Sequence, residues 1–334
     1  MSATALSRGR VAAAINMSKI ARTRTLKLAL PATSANLGPA FDAAALALSL
    51  HLHIRARPAH EFTIIARGRD AEICGNPENH LILTTYKEVL ESERNPIQAL
   101  ALEIENEIPI GKGLGSSAAA RLAGIAMAVH FGGLRWNDSR IIAEAAVREH
   151  HPDNAAACWM GGLAVARMCG DRDAVVATVT PKGRWPLLLA IPDEPLSTEQ
   201  ARRVLPASYS REDAVSNVQN SMLLLASFTQ ARTDLLKTAL QDRFHQPYRS
   251  ALCPLLPTLE KLTGKQGIAG VALSGAGPSV LIFLEPKTSP GRAKAQVEAH
   301  LKRNALRAEV IPAEITKAGA RDSRGWKGGT RPLR

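Results

Sequence analysis

The stretch PIGKGLGSSAAA, residues 109–120, sets three glycines, one lysine and two serines between a strand-like run and a helix-like run. A chain that turns this sharply into a helix leaves unpaired backbone N–H groups converging on the helix start. The helix dipole adds positive potential there, so such a turn suits an anion such as phosphate. Spacing excludes the two common phosphate loops. In GxxxxGK[ST] the lysine closes the loop, whereas Lys112 comes before Gly113 and Gly115; and Gly111, Gly113 and Gly115 do not match GxGxxG. The residues alone leave open a tight turn ahead of a packed small-residue helix.

The flanking sequence places this turn in a mixed architecture. TLKLALP (25–31), LHLHIRAR (50–57) and EFTIIARG (61–68) read as strands of an early antiparallel sheet. NHLILTTYKEVLES (79–92) has helical spacing, IQALALEIENEIP (97–109) returns to strand alternation, and SSAAARLAGIAMAVHF (116–131) is a small-residue helix. A further helix starts at Asn137 or Asp138, either of which caps orphan N–H groups. After HPDNAAACWMGG the pattern becomes strand-like through LAVARM, AVVATVT and WPLLLAI, which marks a domain junction around residues 170–190. The second half predicts helices over 197–206, 214–240 and 292–304, a strand–turn–strand over 270–285 and a closing strand over 307–315. Strands and helices do not alternate regularly enough for a doubly wound parallel sheet, so the fold class is α+β.

Composition narrows the partners. At 334 residues and 46% apolar content the chain is globular and long enough for two cores. Its net charge of +12 would point to nucleic acid if it were spread over the body, but the first 25 residues and Lys317–Arg334 carry +5 each, leaving +2 between them. The basic segments, rich in Ser, Ala, Gly and Arg, read as disordered tails over 1–24 and 317–334, flanking domains over 25–180 and 181–316. Residues 1–16 read as an idle extension or as a mis-assigned start ahead of Met17. No apolar run approaches the ~18 residues of a membrane span, and no secretory h-region is present. The expectation is a cytoplasmic protein with no membrane partner and no nucleic acid on its folded body. Cys74, Cys158, Cys169 and Cys253 form no CxxC pair and read as buried thiols. His51 and His53 share a strand face at a spacing that can chelate a metal; no third ligand lies near in sequence, and the pair reads as exposed strand.

With the common loops excluded, P-x-x-x-G-L-G-S-S-A-A resembles the ATP-phosphate loop of the GHMP kinases. LPATSANLGPAFDAAALAL (30–48) is similar to PATSANLGPGFD, the first motif of the homoserine kinase branch, and GVALSGAGPSVLIF (270–283) resembles the family's Gly-rich third motif. EHHPDNAAACWMGG (149–162) resembles EGHPDNxAxxxxGG, and TEQARRVLP and HQPYRSALCP resemble two later segments of that branch. The resemblance spans residues 25–315. It implies the two-domain GHMP kinase fold, a ribosomal-protein-S5-like α/β domain followed by a ferredoxin-like α+β domain. The activity it implies is Mg²⁺-dependent transfer from ATP to the L-homoserine hydroxyl, giving O-phospho-L-homoserine for threonine biosynthesis, in a branch that commonly forms homodimers.

Carried over residue by residue, the phosphate loop comprises Pro109, Ile110, Gly111, Lys112, Gly113, Leu114, Gly115, Ser116, Ser117 and Ala118, with Ser274, Gly275, Ala276 and Gly277 as the Gly-rich partner turn. Ser117 and Glu149 are the Mg²⁺ ligands, with Glu144 as the alternative acid. Asn36, Asp42, His151, Asp153, Arg202 and Arg249 line the amino-acid pocket, carboxylates for the ammonium and guanidinium forks for the carboxylate. Several GHMP kinases use an Asp as catalytic base near this region, where the HPDN motif here ends in Asn154. An amide cannot accept the proton, so the implied mechanism is direct in-line transfer by positioning and charge stabilisation. The sequence departs from the branch pattern at Ala40 and His150, each replacing Gly. Two alternatives follow: a kinase for another small hydroxy acid, or a non-catalytic binding protein on the same fold.

Overall fold

The computed structural model describes residues 25–323; what the sequence predicts for 1–24 and 324–334 lies outside the described residues. The spine of the first, six-stranded sheet is β2 (Ala40–Pro58). β1 (Leu26–Asn36) runs antiparallel along one edge of it, from Leu26↔Ala56 to Asn36↔Ala40. The other edge is shared: β5 (Leu163–Met168) pairs with Ala44–Leu46 and β4 (Leu100–Asn106) with Leu52–Pro58. β3 (Thr63–Gly68) and β6 (Ala174–Val179) close the two ends. Alternation fixes the register: Leu52, Ile54 and Ala56 face inward with Leu102 and Ile104, while His53, Arg55 and Glu103 face solvent.

β3 is not the third strand of an antiparallel sheet. It pairs parallel to β4, because the chain between them makes a crossover through α1 (Ala71–Gly75) and α2 (Leu81–Ser92). The central helix α3 (Ser116–Gly132) buries Ala118, Ala119 and every residue from Leu122 to Val129, as expected of a helix that is apolar on all sides. It packs tightly on α2: a Cβ at Gly124 would lie 2.5 Å from the Ile82 carbonyl oxygen. α4 (Asp138–Glu149) begins at Asn137, whose side chain accepts from the Arg140 N–H, and α5 (Asp153–Met160) follows.

The second sheet, in order β10-β7-β9-β8, comprises β7 (Leu187–Ile191), β8 (Ile268–Leu273), β9 (Val280–Leu284) and β10 (Glu309–Ala313), all antiparallel. Alternate residues enter different cores. Leu187, Leu189, Leu281 and Phe283 join the large core shared with the first sheet, whereas Leu188, Ala190, Val280 and Ile282 face α10 (Leu255–Glu260) and α11 (Pro290–Arg303). Between β7 and β8 lie α6 (Thr198–Arg203), α7 (Arg211–Gln230), α8 (Leu236–Ala239) and α9 (Gln246–Arg249).

Two further expectations are corrected. The helix predicted over 214–240 stops at Ala231, which takes φ 59°, and the Arg232 N–H turns back to the Ser227 carbonyl, a left-handed helix stop. The tail predicted to begin at Lys317 is placed up to Ser323. Ala320 is buried, Arg321 pairs with Asp138 at 3.2 Å, and the Ser323 hydroxyl accepts from the Ala29 N–H. Of the cysteines, Cys158 and Cys253 are buried, Cys74 is partly buried and Cys169 is exposed, so the expectation of buried thiols fails for Cys169.

Candidate active site

A cavity of about 610 Å³ opens where the α3 N-terminus, the β1–β2 turn, the start of α5 and the β8–β9 turn converge. Gly111, Gly113 and Gly115 all take positive φ, at 71°, 74° and 71°. Two of them also have no room for a side chain. A Cβ at Gly113 would lie 2.4 Å from the Ser274 carbonyl oxygen, and one at Gly115 would lie 1.9 Å from Thr33 Oγ1. The Ser274 hydroxyl bonds the Gly113 carbonyl and Ser34 Oγ, stitching the two Gly-rich turns together.

Not every loop residue carried over by resemblance reaches the cavity. Ile110, Gly111, Gly113, Gly115, Ser116 and Ser117 line it, facing Gly275, Ala276 and Gly277. Pro109, Leu114 and Ala118 are buried behind, and Ser274 acts as the stitch. The Lys112 ammonium turns away to the Asp193 carbonyl. What the loop presents to the cavity is thus mainly glycine backbone and the first turn of α3, whose N–H groups have no helical acceptors.

Ser117 Oγ donates to Glu149 Oε1 at 2.6 Å, and Arg121 Nε bonds the same oxygen at 2.6 Å. Both Ser117 and Glu149 line the cavity. Glu144 is not among the lining residues. Its carboxylate is held by Arg140 and Arg148 of its own helix, the first at 2.6 Å. The geometry favours Glu149.

Beside the Gly-rich partner turn, charges are arranged around the β1–β2 turn. Asn36 and Asp42 both take positive φ, 69° and 54°. Asn36 holds the turn closed, accepting from the Asp42 N–H and donating to the Gly275 carbonyl, each at 2.9 Å. The Asp42 carboxylate pairs with Arg202 at 2.7 Å. Arg249 is almost wholly buried and donates to the carbonyls of Ala201 and Gly275. Burial, reinforced by the nearby Arg202 charge, lowers its pKa to about 10. The two guanidinium groups lie 5.5 and 5.4 Å from the Phe41 ring, which stacks on His245. Burial lowers the His245 pKa; its Nε2–H donates to the Gly38 carbonyl, leaving Nδ1 to accept from Arg249.

His151 Nδ1 bonds Asp153 Oδ1 at 2.6 Å. Burial opposes charge on this ring, but the bond and charge of Asp153, with Asp42 adding, outweigh it, and the His151 pKa moves up. The other oxygen of Asp153, Oδ2, is buried and meets no donor, an exceptional state for a carboxylate. Ligating atoms of Asp42, His151 and Asp153 all lie within 4.8 Å of one another. Asn154 donates its backbone N–H to Asp153 Oδ1 and accepts from the Thr33 hydroxyl, both at 2.6 Å.

Sequence reasoning missed Thr33, Phe41 and the wall formed by Cys74, Asn76 and His80, which closes the cavity on the α1 side. Thr33 lies inside a motif that had been singled out, but nothing in one sequence separates it from its neighbours. Neither departure from the branch pattern reaches the cavity. Ala40 opens β2 and is absent from the positive-φ residues, while His150, at φ 66°, is exposed, and neither lines the cavity.

Residues 80–162 match the family description "GHMP kinases N terminal domain" and residues 224–303 match "GHMP kinases C terminal". The homoserine kinase of Solibacter usitatus is 46% identical over 261 residues, covering 77% of this chain and 84% of that protein. The chain belongs to the homoserine kinase family of GHMP kinases. The homoserine kinase of a Synechococcus strain is 39% identical over 278 residues, covering 83% of this chain and 90% of that one. A crystal structure of homoserine kinase from Cytophaga hutchinsonii superposes with a TM-score of 0.75 at 22% identity, covering 89% of this chain and 96% of that one, and shows the shared fold. Like the homoserine kinases it matches, the chain is a kinase; among its described residues no helix is long and apolar enough to cross a membrane.

Proposed function

We propose that this chain transfers the γ-phosphoryl group of ATP directly to the hydroxyl of L-homoserine, giving O-phospho-L-homoserine. The observation that carries the reading is the set of charged groups lining the cavity. The buried, unpartnered Asp153 Oδ2 and the Asp42 carboxylate can take an ammonium, and Arg202 and Arg249 can take a carboxylate. That set of opposite charges suits a small zwitterionic amino acid, and the Gly-rich cradle lining the same cavity suits a nucleotide triphosphate.

Asn36 fixes the turn that carries Asp42, and His151 fixes Asp153. Asn154, its Oδ1 engaged by Thr33, offers its Nδ2 donors to the acceptor oxygen. The amide is no base, so the hydroxyl proton passes to a phosphoryl oxygen as the new P–O bond forms and the bond to ADP breaks. Catalysis then rests on alignment and charge stabilisation, which suffice for a loose phosphoryl transfer. The oxygen donors Ser117 Oγ and Glu149 Oε1 fit Mg²⁺, and the ion, when bound, offsets charge on the β- and γ-phosphates. The reading includes the branch's cytoplasmic setting and homodimer, checked by cell fractionation and light scattering.

The test is ADP release with L-homoserine added or omitted, the product identified by mass spectrometry, beside mevalonate and shikimate. Homoserine-dependent turnover supports the proposal. Turnover on another hydroxy acid alone, or nucleotide binding without turnover on any acceptor, overturns it.

A further inference from the structure

On the solvent face of the first sheet, His51 and His53 stand two residues apart on β2, their rings stacked with centroids 5.4 Å apart. Sequence spacing supplied only this pair. The β2–β4 register, in which Leu52 faces Asn106, supplies a third group by bringing Glu107 beside His51. The placement is pinned by backbone. The His51 N–H donates to Glu107 Oε2 at 2.8 Å, and the Glu107 N–H donates to the His51 carbonyl at 2.9 Å. One ligating atom from each of His51, His53 and Glu107 lies within 4.8 Å of the other two. An ion among atoms so spaced needs only small side-chain rotations to reach bonds of roughly 2.0–2.2 Å, the range of zinc to imidazole nitrogen and carboxylate oxygen.

We propose that His51, His53 and Glu107 form a binding site for a divalent transition-metal ion of the zinc class, separate from the nucleotide cavity. The donor set decides the class: two imidazoles and one carboxylate favour zinc, nickel or copper over magnesium and calcium, which take oxygen ligands. This distinguishes the site from the oxygen pair of Ser117 and Glu149. His51 and Glu107 keep 25% and 47% of their side-chain surface exposed, so water can complete the coordination. The bound ion ties β2 to the segment that continues β4. The neighbours of its ligands in sequence, Leu52, Asn106 and Ile108, line the nucleotide cavity, so the tie acts on the wall behind which ATP is proposed to bind.

The experiment is calorimetric titration of the full chain with Zn²⁺ in excess Mg²⁺, comparing wild type, His51→Ala, His53→Ala, Glu107→Gln and the double His51→Ala/His53→Ala variant. The expected result is one equivalent bound by wild type and lost in the double variant. Each single histidine change weakens binding by at least ~10-fold, the lower bound seen when even outer-shell partners of metal ligands are removed. Zn²⁺ raises the melting temperature of wild type and not that of the double variant, by mass action on the folded state. All the altered side chains lie on the solvent face, so melting without metal checks that each variant folds. Equal affinity and stoichiometry in wild type and double variant overturn the proposal. So does binding lost in Asp153→Asn but kept in the double variant, which assigns the ion to the acceptor pocket, and so does no Zn²⁺ uptake by wild type.

Discussion

Replacing Thr33 by Val tests whether Asn154 works by orientation. Thr33 is fully buried, its backbone N–H donates to the Leu114 carbonyl, and its hydroxyl gives Asn154 Oδ1 a bond of 2.6 Å. Valine keeps the shape and the backbone bond and removes only the hydroxyl. The loss of that donor leaves a partly buried acceptor short of a partner, at a cost of up to about 1–3 kcal/mol. Part of this appears as lost stability. The rest frees the Asn154 amide to rotate, and a misplacement of an aligning group by about 1 Å lowers a rate by ~10²-fold. The expected outcome is a fall of that order in kcat, with KM for L-homoserine changed little because the charged groups that bind it are untouched. Thr33→Ser restores the hydroxyl and should recover most of the rate, which a purely structural role for the methyl group would not produce. Steady-state kinetics of the three proteins, with melting curves alongside, read both effects. If Thr33→Val keeps kcat within about twofold of wild type, no transition-state interaction was removed and the reasoning fails.

Four further outcomes follow from the site. Arg202→Ala should raise KM for L-homoserine with little change in melting temperature, since Arg202 is partly exposed; Arg249→Ala should lose both activity and stability, as it strands the Ala201 carbonyl at a cost of about 1–3 kcal/mol, while the Gly275 carbonyl keeps its bond from Asn36. His150→Gly should leave kinetics unchanged and stabilise the fold by about 1 kcal/mol, because His150 is held at φ 66°; an unchanged or lower melting temperature counts against this. The raised His151 pKa contributes stability that is full below the ordinary value of 6.5 and is lost as pH rises through the folded value. Asp153→Asn should bring the His151 titration back down, followed by NMR of the ring protons, and should flatten that part of the stability–pH curve.

What the sequence carried well was local and periodic. The strand–turn–helix at residues 109–120, the Asn137 cap and the alternation of β2 and β4 each follow from neighbours in the chain. What it could not carry depends on pairing across distance. Nothing near EFTIIARG states that β3 runs parallel to β4, because the cause is the crossover between them. Ala231 gives no compositional sign of a helix stop, and the left-handed turn there is closed by the backbone bond to the Ser227 carbonyl. In the site, residues of the family motifs meet at one cavity, but the motifs did not sort side-chain from backbone roles. Lys112 turns to Asp193 and Asn36 ties the loop, whereas Thr33, in the same motif, meets Asn154 directly. The third ligand of the His51 and His53 pair was invisible for the same reason: Glu107 is near only through strand register.

The placed C-terminal segment bears on how the chain is made. Ile315 bridges Leu48, the Thr316 N–H donates to the Ala47 carbonyl, the Gly162 N–H donates to the Thr316 carbonyl, and Ser323 caps Ala29. The first sheet, begun at Leu26, is therefore completed by residues that follow the last strand of the second sheet. During synthesis the nucleotide-cradling half stays open along this seam until the second sheet has emerged, and either half produced alone would lack its partner's edge.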